Sequence, residues 1–504
     1  MIKIIRLLLL SLLVTAISCS RKNHQVLVLS VSSLNGNIFP KQIDGTQYGG
    51  LGLISSLSAE LRERENDNVE IIANSNFIYG TKEAYFTNGS AVIDLMNEIG
   101  FTCLVIGHRE FYFGFERLRE LSEKADFPFV SSNLAYKDSS SVEFFHPYLI
   151  LKDNKSAIIG ISTEKVFKAN LEKDTENLIL LDPASAVSKN IAELRSKGIS
   201  RIIVAGDFDC DEASASNLTP DQIRRLFTID GVDLFLSTAD KKYCALEKKR
   251  PVLPCGINGF EVVSFKISDR GITSAKRHSV NSSELDPDPY LSGKMADINN
   301  MIFAVAGTIL GNATDDIPHS TGQKFIRETA LGNFICDIMR NYTGTDIFIM
   351  NSGKVRNGFK KGPVNLGDLY NILPYEGNLV TAEMTGGQIK VILESSCAFK
   401  MDKSFLQVSG LSFSYDSSRK PFDRIEMRDI KINGTVIEKN NVYSVSMTDY
   451  IHQGGDHYNE FSEMDIKITK IHQKQMRAIV RDHITERNEI SAPALGRITD
   501  ISKL

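Results

Sequence analysis

The chain has 504 residues, of which 42% are hydrophobic and 24% charged, so it is long enough for two or three globular domains. Its formal net charge of −4 gives no electrostatic footprint for nucleic-acid binding, so no nucleic-acid partner is expected. Beyond the N-terminal segment, no stretch reaches the ~18 consecutive apolar residues that a membrane-spanning helix needs.

Residues 1–19 have the pattern of an export signal. Lys3 and Arg6 precede an apolar run over residues 7–17 that is too short to span a bilayer stably. Small residues before Cys19 resemble a bacterial lipobox, which implies cleavage before Cys19 and lipidation of its sulfur. We therefore expect an exported lipoprotein of the bacterial cell envelope, anchored to a membrane on its periplasmic or surface side. The alternative is a plain signal peptide in which Cys19 is incidental.

Strands and helices alternate over residues 20–281. Short runs of β-branched and aliphatic residues predict buried strands at Val26–Leu29, Val69–Ile72, Leu104–Ile106, Ala157–Ile161, Arg201–Ala205 and Asp233–Leu236. One helix is well delimited, since Asp182 fits an N-cap, Pro183 the first helical position and Gly198 the residue after the last turn. This alternation favours an α/β sandwich or a doubly wound sheet.

A connector and a second domain follow. Residues 282–302 contain Leu285-Asp-Pro-Asp-Pro and then a helical stretch, which predicts a connector helix. The second domain covers residues 303–504 and is also of mixed α/β (α+β) type. Its first helix is predicted at Thr329–Met339 and its first clear strand at Asp346–Met350.

Two pairs of cysteines are expected to have different structural roles. Cys103 and Cys336 sit in apolar runs and are expected to be small core residues. Cys244 and Cys255 flank a polar loop and are the best candidates for a disulfide in an oxidising compartment. The chain has no Cys-x-x-Cys pair, so a zinc knuckle has no support.

Five motifs follow one another in the C-terminal half, over about 130 residues. They are Arg327–Asn333, Asn351–Arg356, Leu373–Tyr375, Phe405–Gly410 and Gly454–Tyr458. Their order and composition resemble the C-terminal domain of the secreted 5'-nucleotidase and UDP-sugar hydrolase family. The resemblance implies that the nucleoside is held by Arg327, Asn351, Arg356, Tyr375, Tyr450 and Asp456.

The chemistry of these residue types fits a nucleoside. Asn351 follows a predicted strand, where ligand sites of α/β folds gather, and its amide can both donate to and accept from a purine edge. Arginine offers forked donors for ribose or phosphate oxygens, tyrosine stacks on a flat base, and Asp456 can accept from ribose hydroxyls. Lys354 and His457 replace glycines of the family pattern, so we expect the backbone to approach a ligand less closely there.

The N-terminal half resembles a calcineurin-like metallophosphoesterase domain, which implies a β-sandwich flanked by helices. Framework residues of that family persist, among them Gly36, Gly80, Gly107, Glu110 and Gly114. The seven metal-ligand positions, however, fall on Ser33, Asn35, Asn76, His108, Asp207, Ala239 and Lys241, and none keeps the family residue. The position of the catalytic histidine holds Arg109, and that of its partner aspartate holds Tyr112.

These replacements remove the chemistry of a two-metal hydrolase. Such enzymes hold two cations ~3.5–4 Å apart, which requires carboxylate and imidazole ligands. Asparagine binds hard cations weakly, and alanine and protonated lysine do not bind them. We therefore expect no catalytic residues, no bound metal and no other cofactor. The alternative is a single-metal site formed by Asn35, Asn76, His108 and Asp207, with Asp209 as a further candidate.

Three functional hypotheses follow. The preferred one is a catalytically inactive 5'-nucleotidase homologue that binds a nucleoside or nucleotide through its C-terminal domain. The second is an active nucleotide phosphohydrolase with rebuilt ligands for Mn, Zn, Mg or Co. The third is an interaction lipoprotein in which both sites are relics and whose protein partner is unknown.

Overall fold

A computed structural model describes residues 25–208, 218–238, 252–254, 256–268, 271–319, 327–398 and 403–503. The chain divides into two compact units. The first holds the residues up to Lys168 together with Asp174–Ile298, and the second holds Ala169–Lys173 together with Asn299–Leu504. The predictions made for Cys19, Asp209, Ala239, Lys241, Cys244 and Cys255 fall outside the described residues.

Sixteen strands of the first unit are described. They are β1 (Val26–Ser32), β2 (Lys41–Ile43), β3 (Thr46–Tyr48), β4 (Val69–Asn74), β5 (Cys103–Val105), β6 (Phe129–Val130), β7 (Leu134–Tyr136), β8 (Phe145–His146), β9 (Tyr148–Ile150), β10 (Ser156–Ile161), β11 (Leu178–Leu180), β12 (Arg201–Gly206), β13 (Leu234–Ser237), β14 (Val252–Pro254), β15 (Glu261–Ser268) and β16 (Gly271–Ser279). All six predicted strands are confirmed, as β1, β4, β5, β10, β12 and β13.

Two sheets form a sandwich in this unit. The seven-stranded sheet has the order β16-β15-β1-β4-β5-β6-β8, and the five-stranded sheet has the order β14-β13-β12-β10-β9. Alternate residues of β1 show how the sandwich is filled. Val26 and Val28 pack with residues of both sheets, whereas Leu27 and Leu29 join a second core that includes helical residues. This is the period-two alternation of a strand that is covered on both faces.

Helices cover the outer faces of the sandwich. They are α1 (Leu51–Arg64), α2 (Lys82–Phe86), α3 (Ser90–Ile99), α4 (Phe115–Lys124), α5 (Lys165–Lys168), α6 (Pro183–Ser196) and α7 (Pro220–Phe227), followed by α8 (Pro289–Ala306). The start of α6 is confirmed, because the Asp182 side chain accepts a hydrogen bond from the Ser185 N–H and Pro183 is the first helical residue. The boundary between the two units falls within α8, in the segment predicted as a connector.

Three sheets are described in the second unit. Its strands are β17 (Ile309–Ala313), β18 (Ile347–Asn351), β19 (Gly362–Asn365), β20 (Leu379–Thr385), β21 (Leu406–Ser409), β22 (Leu411–Tyr415), β23 (Ile430–Ile432), β24 (Thr435–Val436), β25 (Val442–Thr448), β26 (Ile468–His472), β27 (Glu489–Ile490) and β28 (Ile498–Asp500). The sheets have the orders β21-β18-β25-β20-β26, β19-β17-β27 and β24-β23-β22-β28.

The helices of the second unit are α9 (Ala330–Thr343), α10 (Leu366–Ile372), α11 (Gly386–Ala398), α12 (Asp449–His452), α13 (Glu460–Glu463) and α14 (Met476–Arg487). The predicted first helix is confirmed as α9, with Thr329 as its N-cap, and the predicted strand is confirmed as β18. Short 3-10 turns in the two units are Arg109–Phe111, Glu172–Asp174, Ser352–Lys354, Met427–Asp429, Gly455–His457 and Ile501–Lys503.

Two further sequence predictions can be read from burial and helix length. Cys103 and Cys336 are buried free thiols, as predicted, and so is Cys397. Among the helices in the described ranges, none combines the length and the apolar character needed to cross a membrane.

Candidate functional site

In the second unit, Asn351, Tyr450 and Asp456 meet at the ends of two neighbouring parallel strands. Asn351 is the last residue of β18, and Tyr450 follows the parallel strand β25. The Nδ2 of Asn351 donates to Asp456 at 2.6 Å, and the Tyr450 hydroxyl donates to the other Asp456 oxygen at 2.9 Å. The buried Asn351 Oδ1 makes no hydrogen bond within the described part of the chain, so it is an acceptor directed at no protein donor there. A ligand donor at this position would remove the cost of that unsatisfied group.

Arg356 and Tyr375 form a second part of the same region. The guanidinium carbon of Arg356 lies 5.5 Å from the centre of the Tyr375 ring, within cation–π distance. Nη1 of Arg356 also donates to the carbonyls of Gly353 and Val355, which holds the side chain against its own loop. Tyr375 is 58% exposed and Tyr450 is 48% exposed, so both residues can be reached from solvent.

Arg327 is joined to this region through a glutamine that sequence reasoning did not single out. The fully buried Gln407 accepts from the Thr329 N–H at 2.9 Å and donates to Ser352 Oγ at 2.9 Å and to the Arg327 carbonyl at 3.2 Å. A side chain on Gly332 would stand 2.2 Å from Gln407 Oε1, which explains the glycine there. Gln407, which belongs to the Phe405–Gly410 motif, therefore connects the Arg327–Asn333 motif with the Asn351–Arg356 motif. The Arg327 side chain itself is exposed.

The Gly454–Tyr458 motif adopts a strained turn. Asp456 has φ 51° and His457 has φ 74°, in the left-handed region that favours glycine. The family glycine at the position of His457 would adopt this conformation without strain. The turn holds the Asp456 carboxylate between Asn351 and Tyr450, which leaves the exposed His457 beside the site.

Lys354 is buried, although a lysine in a loop is ordinarily exposed. The sequence predicts that its side chain keeps a ligand from the loop backbone, but the structure buries the residue to 6% exposure. Its Nζ donates to the Glu376 carbonyl at 2.8 Å, and the Glu376 and Asp449 carboxylates attract it. Burial lowers the pKa of the Lys354 ammonium to about 8, against this attraction. Buried acceptors draw the amine inward, and the expected effect of Lys354 on the approach of a ligand stays a prediction.

A buried arginine completes this charged cluster, and no sequence pattern pointed to it. Arg477 in α14 is fully buried and lies 3.1 Å from Glu376. It donates to the Leu373 carbonyl at 2.7 Å and stacks on the Tyr370 ring at 4.3 Å. Arg477 thus fixes the loop that carries Tyr375 from its buried side. The only sequence signal was an arginine among apolar residues of a helix.

In the first unit, a buried carboxylate holds the loops that follow β4 and β5. Glu110 is fully buried, and its two oxygens accept from the backbone N–H groups of Asn76, Phe77, Ile78 and Gly107 at 2.6–3.4 Å. Burial raises the pKa of Glu110, and these hydrogen bonds oppose the increase. Glu110 and Gly107, two framework residues of the metallophosphoesterase resemblance, therefore take part in the hydrogen bonds that fix these loops.

Around this frame, two of the described ligand positions, His108 and Asp207, are bonded to each other. His108 Nδ1 lies 2.9 Å from Asp207 Oδ2, and Thr238 Oγ1 donates to Asp207 Oδ1 at 2.8 Å. Burial opposes ionisation of Asp207, but the His108 hydrogen bond and the nearby Lys165 hold its pKa below the ordinary value. Burial also lowers the pKa of His108, which outweighs the effect of Asp207.

Asn35, Asn76 and Tyr112 have protein partners as well. Asn35 Nδ2 donates to Asn258 Oδ1 at 3.0 Å, and the Arg109 N–H lies 3.3 Å from Asn76 Oδ1. Tyr112 stacks on Tyr79, with ring centres 3.2 Å apart. The backbone is left-handed at Ser33, Asn35, Ser75 and Asn76.

This donor set does not fit a pair of divalent cations. His108 and Asp207 supply the imidazole and the carboxylate among the five described ligand positions, and they are bonded to each other. The other three positions hold Ser33, Asn35 and Asn76, which carry no charge. Over the described ranges, no group of three or more His, Cys, Asp or Glu side chains is arranged to hold a metal ion.

Comparisons with known proteins agree with this geometry at the level of fold and domain. Residues 309–463 match the model of the 5'-nucleotidase C-terminal domain. The chain is 26% identical over 459 residues to Endonuclease YhcR of Bacillus subtilis (strain 168), covering 84% of this chain but 37% of that protein. It is 24% identical over 492 residues to human 5'-nucleotidase, covering 86% of this chain and 84% of the relative.

A solved structure has a similar fold. The Haemophilus influenzae NAD nucleotidase (NadN) superposes with a TM-score of 0.65 at 18% identity, covering 94% of this chain and 99% of that one. At this identity the likeness supports the mixed α/β fold of the chain.

Proposed function

Because the chain belongs to the 5'-nucleotidase family, we propose that it binds a nucleoside or nucleotide through its second unit without hydrolysing it. The observation that carries the proposal is the buried Asn351 Oδ1, an acceptor without a protein donor among the described residues. It lies beside Asp456, which is fixed by Asn351 and Tyr450. A base edge and a ribose hydroxyl supply the missing donors in this arrangement.

Two exposed aromatic rings support the same ligand class. Tyr375 and Tyr450 offer surfaces on which a base can stack, and stacking contributes ~1–3 kcal/mol per base. Arg356, held over Tyr375, adds a positive charge for ribose or phosphate oxygens.

The proposal that hydrolysis is absent rests on the first unit. A two-metal phosphohydrolase needs a set of anionic ligands, and Asp207 is the sole carboxylate at the five described ligand positions. Its two oxygens already accept from Thr238 and contact His108. A metal would have to displace these bonds, and the ligand set would still lack the charge for a second ion.

The location of the protein is part of the proposal. The apolar segment before Cys19 and the small residues next to it support export and lipidation, so we place the chain at the bacterial cell envelope. Mass spectrometry of the protein from a bacterial membrane fraction tests this. A diacylated or triacylated Cys19 at the N-terminus supports it, and a chain that starts elsewhere contradicts it.

The binding proposal is tested by calorimetric titration of adenosine and AMP into the chain from residue 20. Arg356→Ala is expected to weaken AMP binding ~10-fold or more, because a charged hydrogen-bonding group contributes ~1.5–3 kcal/mol. Arg428→Ala is the matched control, since Arg428 is an exposed arginine outside the five motifs and should leave the affinity unchanged.

Activity is measured on the same samples. We expect no release of phosphate from AMP in the presence of Mn, Zn, Mg or Co. Metal-dependent release that Asp207→Asn abolishes would instead support the rebuilt enzyme. An absence of any adenosine or AMP binding, together with recovery of a protein partner, would support the interaction lipoprotein.

A further inference from the structure

The buried amine of Lys354 contacts the segment that carries Tyr375. Lys354 ends the 3-10 turn after β18, and its Nζ donates to the carbonyl of Glu376 at 2.8 Å. Glu376 directly follows Tyr375, so this bond anchors the backbone next to the ring. Arg356, two residues beyond Lys354, lies over the same ring at 5.5 Å. One loop therefore holds Tyr375 through both its backbone and its aromatic face.

The same amine lies near the segment that carries Tyr450. A side chain on Gly377 would stand 3.0 Å from Lys354 Nζ and 3.3 Å from Asp449 Oδ1, so both groups border the same glycine. Asp449 Oδ1 accepts from the Tyr450 N–H at 2.8 Å and thereby fixes the start of α12. Lys354 thus lies between Glu376, which follows Tyr375, and Asp449, which precedes Tyr450.

Charge balance explains why a lysine is stable at this buried position. Four charged groups face one another here: Lys354, Arg477, Glu376 and Asp449. Two are cations and two are carboxylates. Without the lysine, Arg477 alone would face both carboxylates, and an uncompensated buried charge is strongly unfavourable.

We propose that Lys354 is a positioning residue that fixes the separation of the Tyr375 and Tyr450 rings and thereby the affinity for a flat nucleobase. This role rests on the proposed nucleoside binding, and it adds Lys354 as a residue that determines the affinity. A glycine at this position has no side chain to connect the two segments. Stacking weakens when the rings separate, because it depends on contact over the whole base.

Three variants of the chain from residue 20 test the role by calorimetric titration with adenosine. Lys354→Met removes the charge and the donor but keeps an unbranched stem, and it should weaken adenosine binding ~10-fold. Lys354→Arg keeps a charge and should retain most of the affinity. Lys360→Met is the control, because the Lys360 side chain is 88% exposed and pairs with Asp316 away from this cluster.

The wild-type protein provides a second test that needs no variant. Adenosine carries no charge, so its own titration does not contribute between about pH 6.5 and about pH 9.5. The Lys354 pKa of about 8 means that the ammonium loses its charge, and its attraction to Asp449, within this range. Adenosine affinity should therefore fall as the pH rises through about 8. Lys354→Arg should flatten this profile, since arginine stays protonated.

Thermal unfolding separates positioning from a purely structural role. The folded-state pKa of Lys354 lies below that of the unfolded chain, so the unfolded state binds more protons above about pH 8. This group's contribution to the free energy of unfolding then rises with pH, whereas adenosine affinity is expected to fall. Opposite trends in the two measurements support positioning.

The outcomes are distinguishable. If the wild type binds adenosine with a flat pH profile, or if Lys354→Met binds within ~2-fold of it, the role of Lys354 is overturned and nucleoside binding stands. If the wild type binds neither adenosine nor AMP, both proposals are overturned. If Lys354→Met does not fold, the wild-type pH profile and Lys354→Arg decide the question.

Discussion

Single residues decide which chemistry each unit can perform. In the first unit, the family frame persists, and its described ligand positions hold a hydroxyl, two amides, an imidazole and a single carboxylate. Asp207 is held by His108 and Thr238 rather than left open for a cation. In the second unit, the amide of Asn351 is bonded through its nitrogen and open at its oxygen among the described residues. The His108–Asp207 pair of the first site is thus bonded internally, whereas the Asn351 oxygen of the second site is bonded to no other described residue.

Glu110 provides a residue-scale prediction about the frame. Its two oxygens accept from four backbone N–H groups, so Glu110→Gln would turn an NH₂ toward donors that need an acceptor. We expect a loss of about 3 kcal/mol in the free energy of unfolding of the first unit. Urea unfolding followed by circular dichroism measures it. Glu116→Gln, at an exposed position in α4, is the control. A loss below about 1 kcal/mol would mean that Glu110 is not an essential part of the frame.

The sequence could predict residue types at the sites but not their partners. Five ordered motifs predicted the region that contains Asn351, Arg356 and Asp456. The burial of Lys354 was not predictable, because it depends on Arg477 and Asp449, which lie more than ninety residues away along the chain. Lysine in a loop is ordinarily exposed, and only the tertiary structure shows that two carboxylates surround this one.

At the scale of elements, strand ends bring the site residues together. Strands β18 and β25 run parallel, so Asn351 and the residues after Thr448 emerge at the same edge of the sheet. The parallel pair β1 and β4 does the same for Ser33 and Asn76 in the first unit. Runs of aliphatic residues were sufficient to predict β1, β4 and β18, whereas β25 was not delimited from the sequence. The left-handed turns that follow were not predictable, since serine rarely adopts this conformation and asparagine, although enriched in it, adopts it at only a minority of positions.

Gly410 provides a prediction at this scale. It connects β21 and β22 with φ +75°, and a side chain there would stand 1.9 Å from the Asp346 carbonyl oxygen. Gly410→Ala should lower the free energy of unfolding of the second unit by more than about 2 kcal/mol, because it combines left-handed strain with a backbone clash. Gly344→Ala is the matched control. Gly344 has φ +69° with no atom within 4 Å of the added carbon, so strain alone should cost about 1 kcal/mol. Equal losses in chemical denaturation would contradict the packing argument.

At the scale of the whole molecule, the two units carry different parts of the proposed function. The second unit matches the 5'-nucleotidase C-terminal domain and contains the candidate nucleoside site. The first unit keeps an α/β sandwich in which the described ligand positions do not fit a metal pair. Ligand binding by this protein is therefore expected not to depend on a metal ion.

The most direct test is thermal unfolding of the chain from residue 20 with adenosine, AMP or UDP-glucose, each with and without Mn or Zn. A ligand present at ~100 times its dissociation constant stabilises the folded state by ~2.7 kcal/mol, which raises the midpoint temperature. We predict an increase with at least one of these ligands that is unchanged by metal or by EDTA and is lost in Arg356→Ala. An increase that requires Mn or Zn and is accompanied by phosphate release from AMP would contradict the account.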